Sequence, residues 1–212
     1  MPVLMKEDST MIVYPVSYSP SAVARAFKIV HSFEIAGVAM AVIYDAATPR
    51  AAIIKTKPEE IDGVMRNRAI AILELERKKT IGDIVLSVER FWQDDALQVE
   101  SVCVEGTQRE LGLATLLYET LVNECGVVLM SDHMHYPGGK ALWKKIAEQS
   151  KSLAIFVLDT DVGAFFPYDG QHLLYNGVSI PEDAIWSLHP DESRRGMILV
   201  AKNKDRLAAY AA

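Results

Sequence analysis

From residue 81 to residue 158 the chain alternates between apolar runs of strand type and apolar runs of helix type. That order limits its fold more than any other feature. The segments GDIVLSVERFW and ALQVESVCVE carry the branched and aromatic residues of strands, and the second ends at Val104. Residues 107–124 follow as the strongest helix pattern in the chain. Leu113, Leu117 and Leu121 recur at i, i+4 and i+8, with Ala114 and Leu116 beside them. Thr107 and Glu110 have the T-x-x-E spacing of a capping box, which predicts a start near Thr107. A compact strand (Gly126 to Met130), a polar loop (SDHMHYPGG), a helix over 140–149 and a strand over 153–158 complete the series. Strands alternating with helices in this way predict an α/β sheet with helices packed on it.

The flanks read less sharply. Residues 1–10 read as a polar end expected to be flexible. Val23, Phe27, Val30 and Phe33 approach helical spacing over 20–36, and VAMAVIY at 38–44 is a short apolar run of strand type. Pro58 followed by Glu59 and Glu60 reads as a helix start, ending before Asn67. RAIAILELER at 68–77 reads as a strand beside the two clearer ones, joined through KKTI and QDD in an antiparallel meander. Residues 161–194 look loop-rich, and Gly196 to Ala201 reads as a last strand. The expectation is one domain over 1–212, with its best-supported core at 68–160.

Composition excludes several function classes. With 212 residues, 50% hydrophobic and 24% charged, the chain is neither disordered nor a disulfide scaffold. No stretch approaches the ~18 uninterrupted apolar residues of a membrane span, and MPVLMKEDST lacks the pattern of a secretory signal. The net charge is −6, and the basic clusters Arg77-Lys78-Lys79 and Lys144-Lys145 are short, which argues against broad nucleic-acid binding. Cys103 and Cys125 form no metal or redox motif. A cytoplasmic protein is expected.

The chemistry concentrates where the strand meets the long helix. Arg109-Glu-Leu-Gly112-Leu-Ala114 fits R-x-x-G-x-A directly after the strand. A helix N-terminus offers unpaired N–H groups and the positive end of its dipole, which suits a phosphate or pyrophosphate. Gly112 allows close backbone approach, and Arg109 can pair with phosphate oxygens. A packing glycine beside a solvated arginine is the plainer alternative.

The run from Leu97 to Ile146 resembles the GNAT superfamily of acyl-CoA-dependent N-acyltransferases, especially its small bacterial and phage members. The resemblance implies a mixed, splayed β-sheet flanked by helices. It also implies an N-acetyltransferase in which a primary amine attacks acetyl-CoA directly. Carried over by position, Arg109, Gly112, Leu113, Ala114 and Thr115 would hold the pyrophosphate, and Cys103 and Val104 would flank the pantetheine arm. Two positions depart from the family pattern. Glu110 stands where glycine is usual, and Trp143 where many members have a proton-donating tyrosine. These departures sustain a rival reading, a catalytically silent member that uses the cleft to bind a ligand or partner. A homodimer is compatible with either.

A protonated amine cannot attack a thioester, so a base is needed. The family's acidic position aligns with Gln98. Glu100 lies two residues along the same strand face and is the expected base, while Tyr136 is the expected acid, with solvent as the substitute. Asp132, His133 and His135 form D-H-x-H without a partner pair, so no metal is expected. Tyr118 reads as packing, and the aromatic segment Asp161 to Tyr175 as a loop over the core or a wall of the substrate cleft.

Overall fold

The computed structural model describes residues 3–4, 16–77, 80–81, 84–85, 96–131, 134–159, 163–175, 177–181, 186 and 197–206. The first elements are β1 (Val3–Leu4), β2 (Ser17–Tyr18), α1 (Pro20–Ala26), β3 (Lys28–Ile35), β4 (Val38–Asp45) and β5 (Arg50–Lys55). Next come β6 (Glu59–Ile61), β7 (Val64–Glu76), β8 (Thr80–Ile81), β9 (Ile84–Val85) and β10 (Ala96–Val104). A 3₁₀ turn (Gly106–Gln108) leads to α2 (Leu113–Glu124), followed by β11 (Val128–Met130), β12 (Met134–His135) and α3 (Pro137–Gln149). The chain closes with β13 (Leu153–Asp159), β14 (Ala164–Tyr168), β15 (His172–Tyr175), β16 (Val178–Pro181) and β17 (Met197–Asn203).

These elements form two compact units. The first comprises Met11–Leu75 and Glu100–Cys125; the second comprises Met1–Thr10, Glu76–Val99 and Gly126–Ala212.

In the first unit β3, β4, β5 and β7 make an antiparallel ladder. Ala36-Gly37 and Asp62-Gly63 form its tight hairpin turns, with φ of 51° and 78°, and of 50° and 75°. Two consecutive left-handed residues match the twist of the flanking strands, which is why such pairs close two-residue hairpins. Met40 to Asp45 of β4 are buried without alternation, because both faces of the strand are covered. Phe27, Ala41, Ile43, Ala52, Ile54 and Ala69 form a core cluster, with Val16, Tyr18 and Val23 packed against it. The apolar stripe of α2 (Leu113, Leu117, Tyr118, Leu121, Val122) is buried, and α2 packs across β3, β4 and β5.

In the second unit Ala96–Gln98 of β10 runs parallel to β11. β11 is antiparallel to β17, and β17 to β13. β13, β14, β15 and β16 then continue as an antiparallel meander. Ala96, Val128, Met130, Leu158, Ile198 and Val200 form the core, and α3 packs on β13.

The expected GNAT-like α/β architecture, a splayed sheet flanked by helices, does not stand. Thirteen strands join in mixed ladders, while the three longest described helices have only 7, 12 and 13 residues. The reasons are local. The predicted helix over 20–36 stops at Ala26, and Lys28–Ile35 is strand, where alternating burial replaces helical spacing. Glu59-Glu60-Ile61 is not a helix start but one arm of a hairpin, closed by Asp62-Gly63 onto β7. Of the stretch expected to be loop-rich, the described residues 163–175 and 177–181 are largely strand, with turns marked by Gly170 and Gly177 at positive φ. The first of the three central stretches lies in β7 and the third in β10, as expected. The second is described only at Ile84–Val85, and most of residues 1–10 likewise lie outside the described residues.

Candidate functional site

The strand-to-helix junction is where the sequence placed its chemistry, and it lies wholly within the first unit. After β10, Glu105 donates its N–H to the Ile70 carbonyl (2.8 Å), which anchors the strand end to β7. The 3₁₀ turn, closed by Gln108 N–H to Glu105 carbonyl (2.8 Å), then redirects the chain. Arg109 is extended, Glu110 is left-handed (φ 75°), and Gly112 is left-handed again (φ 75°, ψ 14°) before α2 begins at Leu113. The predicted capping box therefore does not form. Thr107 sits in the 3₁₀ turn and Glu110 precedes the helix, so neither can serve a start at Leu113.

That start is uncapped. Gly112 occupies the cap position, accepts the first helical bond from Leu116 N–H (2.9 Å), and has no side chain to satisfy the donors above it. The first N–H groups of a helix have no intrahelical acceptor. Those of Leu113, Ala114 and Thr115 thus stand at the positive end of a 12-residue helix. A Cβ at Gly112 would meet nothing within 4 Å, so the space beside that residue is open.

The remaining expected site residues are distributed as follows. Ser101, Val102, Cys103 and Val104 are half-buried, beyond the Ala96–Gln98 stretch that pairs with β11. Burial pushes the Cys103 thiol above its ordinary pKa, with the Arg109 guanidinium and a backbone N–H pulling weakly the other way. Burial also raises the Cys125 thiol, against a weaker pull from Lys28. Glu100 is exposed on the first unit. Gln98, the aligned acidic position, is buried in the second unit. Tyr136 belongs to the second unit, 53% exposed, at the cap position of α3. Trp143 is buried in the same helix at 2% exposure. Tyr118 is fully enclosed, and burial lifts its hydroxyl well above the usual tyrosine value, as befits a packing residue.

Asp132 and His133 lie outside the described residues. His135 is buried and meets the Trp186 ring edge-on, with centroids 5.1 Å apart. Among the described residues no group of three or more His, Cys, Asp or Glu side chains is placed to hold a metal. No helix among them is long and apolar enough to cross a membrane.

Sequence reading missed a second feature of the first unit. An open cleft of about 320 Å³ is bounded by the β3–β4 hairpin (Ile35, Ala36, Val38, Met40), by Lys55, Arg68 and Ile70, and by Glu105, Thr107 and Gln108. Its polar edge is a chain of ion pairs. Lys55 pairs with Glu59 (3.0 Å), Arg68 approaches Glu59 (3.9 Å), and Arg68 is bonded to Glu105. The Nε–H of Arg68 is buried without a partner. The available signal was Asp-Gly at 62–63. Taken as a hairpin turn, it brings Glu59 opposite Arg66 and so into the neighbourhood of Arg68.

No family model, curated protein or solved structure matches the chain.

Proposed function

We propose that the protein transfers an acetyl group from acetyl-CoA to a primary amine, with the pyrophosphate of the donor seated on the turn Arg109 to Thr115. The observation that carries this reading is the uncapped start of α2 behind two left-handed residues. A buried or half-buried helix end normally acquires a cap, and a glycine here leaves a row of donors directed at an anion. Arg109, four residues before Leu113 in the chain, supplies the cation in this reading. The half-buried end of β10 offers Cys103 and Val104 as the side against which the pantetheine arm lies.

In this reading the amine must be neutral when it attacks the thioester carbonyl. Its nitrogen forms the new C–N bond, the C–S bond breaks, and the electron pair leaves on the thiolate of CoA. Glu100, an exposed carboxylate on the same unit, takes the amine proton directly or through water. The thiolate is protonated by solvent. Neither cysteine is a nucleophile, because a thiol with a raised pKa is largely protonated near neutrality.

The test is calorimetric titration of CoA into the protein and into Gly112→Asp and Gly112→Ala. Aspartate tolerates a left-handed backbone better than alanine does. The Asp variant should therefore keep the fold yet lose CoA binding, through negative charge at the phosphate position. The Ala variant, with open space around its methyl, should bind with only modestly reduced affinity. Unchanged affinity in Gly112→Asp would refute the site.

A further inference from the structure

We propose that the cleft of the first unit binds a small zwitterion with an apolar side chain, an α-amino acid, as the acceptor. It rests on the acyl-transfer reading only in naming that ligand the acceptor; the binding itself is argued from the cleft. The lining presents two cationic groups, Lys55 and Arg68, and one anionic group, Glu105. Behind them Glu59 pairs with Lys55 at 3.0 Å and approaches Arg68 at 3.9 Å, so the four charges balance. A ligand of net charge would leave that half-buried network uncompensated, whereas a zwitterion adds no net charge and finds a receptor for each of its ends.

Glu105 bonds Arg68 through one carboxylate oxygen, and its other oxygen can accept from an ammonium. Lys55, whose ammonium has donors beyond the one given to Glu59, can receive a carboxylate. Both side chains are about a third exposed, accessible yet shielded enough for ion pairing to discriminate. Apart from Thr107 and Gln108 the rest of the wall is apolar, made by Ile35, Ala36, Val38, Met40 and Ile70. They favour an aliphatic side chain over hydrogen. The volume of about 320 Å³ lies at the small end of ligand sites, the range of a single amino acid rather than a peptide.

The experiment is calorimetric titration of the whole chain, with no acyl donor present. The probes are L-leucine, isoamylamine (leucine without its carboxylate) and 4-methylpentanoate (leucine without its ammonium). Leucine should bind about tenfold or more tightly than either truncated analogue. Glu105→Gln should weaken leucine and isoamylamine by about tenfold and should not weaken 4-methylpentanoate, since it leaves Arg68 less neutralised. Lys55→Met should do the reverse, weakening leucine and 4-methylpentanoate but not isoamylamine. Should either variant unfold by circular dichroism, the comparison of the three ligands on the unmodified protein decides alone.

No heat with leucine up to about 10 mM, or leucine binding no better than its analogues, would overturn the inference. So would variants that weaken all three ligands equally. Because CoA is absent, such a result leaves the turn at Arg109 to Thr115 standing. Loss of CoA binding as a property of the protein would in turn leave the leucine series intact.

Discussion

Glu110 is the residue at which the proposed anion site conflicts with its own sequence. It is a glutamate, exposed, with φ of 75°, three residues ahead of the uncapped helix start at Leu113. Left-handed backbone costs a residue with a Cβ about 1–2 kcal/mol. Replacing Glu110 by glycine relieves that strain, while the greater freedom of glycine in the unfolded chain takes back about 0.5–1 kcal/mol. The net expectation is a small gain, between roughly 0 and 1.5 kcal/mol. The effect on ligand should be larger. At a separation of roughly 6 Å and an effective dielectric of about 40–80 for so exposed a group, removing one negative charge facing another is worth about 0.7–1.4 kcal/mol. That corresponds to about three- to tenfold in Kd.

Two variants separate the causes. Glu110→Gln removes the charge and keeps the strained backbone, whereas Glu110→Gly removes both. Titration with CoA at low salt should show both variants binding more tightly, by similar factors, with only the glycine variant gaining in denaturant midpoint. The affinity gain should shrink by several hundred millimolar salt, where the screening length falls toward a few ångströms. If neither variant tightens binding at low salt, the phosphates do not sit at this turn. A gain confined to Glu110→Gly would show that backbone freedom, not charge, limits the site.

Two further outcomes follow from the geometry. The Cys103→Ala, Cys125→Ala double variant should retain acetyl transfer, and alkylation of both thiols by iodoacetamide should rise only at higher pH than for free cysteine, since burial holds each above its ordinary value; an acetyl-cysteine trapped by peptide mass spectrometry would contradict this. Gly170 has φ of 97°, and a Cβ there would come within 2.9 Å of the Lys144 carbonyl, so Gly170→Ala should cost about 2–4 kcal/mol from strain and overpacking together. Gly37→Ala, also left-handed (φ 78°) but with nothing within 4 Å, should cost only about 1 kcal/mol, and equal losses in urea melts would dismiss the Lys144 contact as a constraint.

What the sequence determined by itself was local and periodic. The leucines of α2, the apolar run of β4 and the strand character of β7, β10, β13 and β17 were legible because burial of one stripe or one face leaves a repeat in the residues. The strand-to-helix junction was legible too, since a glycine between a strand pattern and a helix pattern marks a backbone need. Its detail was not. The T-x-x-E spacing pointed to a start at Thr107, but the anchoring of Glu105 on Ile70 and the left-handed Glu110 delay the helix to Leu113. Lys28–Ile35 and Glu59–Ile61 became strands because β4 and β7 offered ladder partners, and pairing between distant segments overrides weak local preference. The same principle governs the cleft. Lys55, Arg68 and Glu105 are far apart along the chain, and only the register of β5 against β7 and the tether of Glu105 to Ile70 bring their charges together.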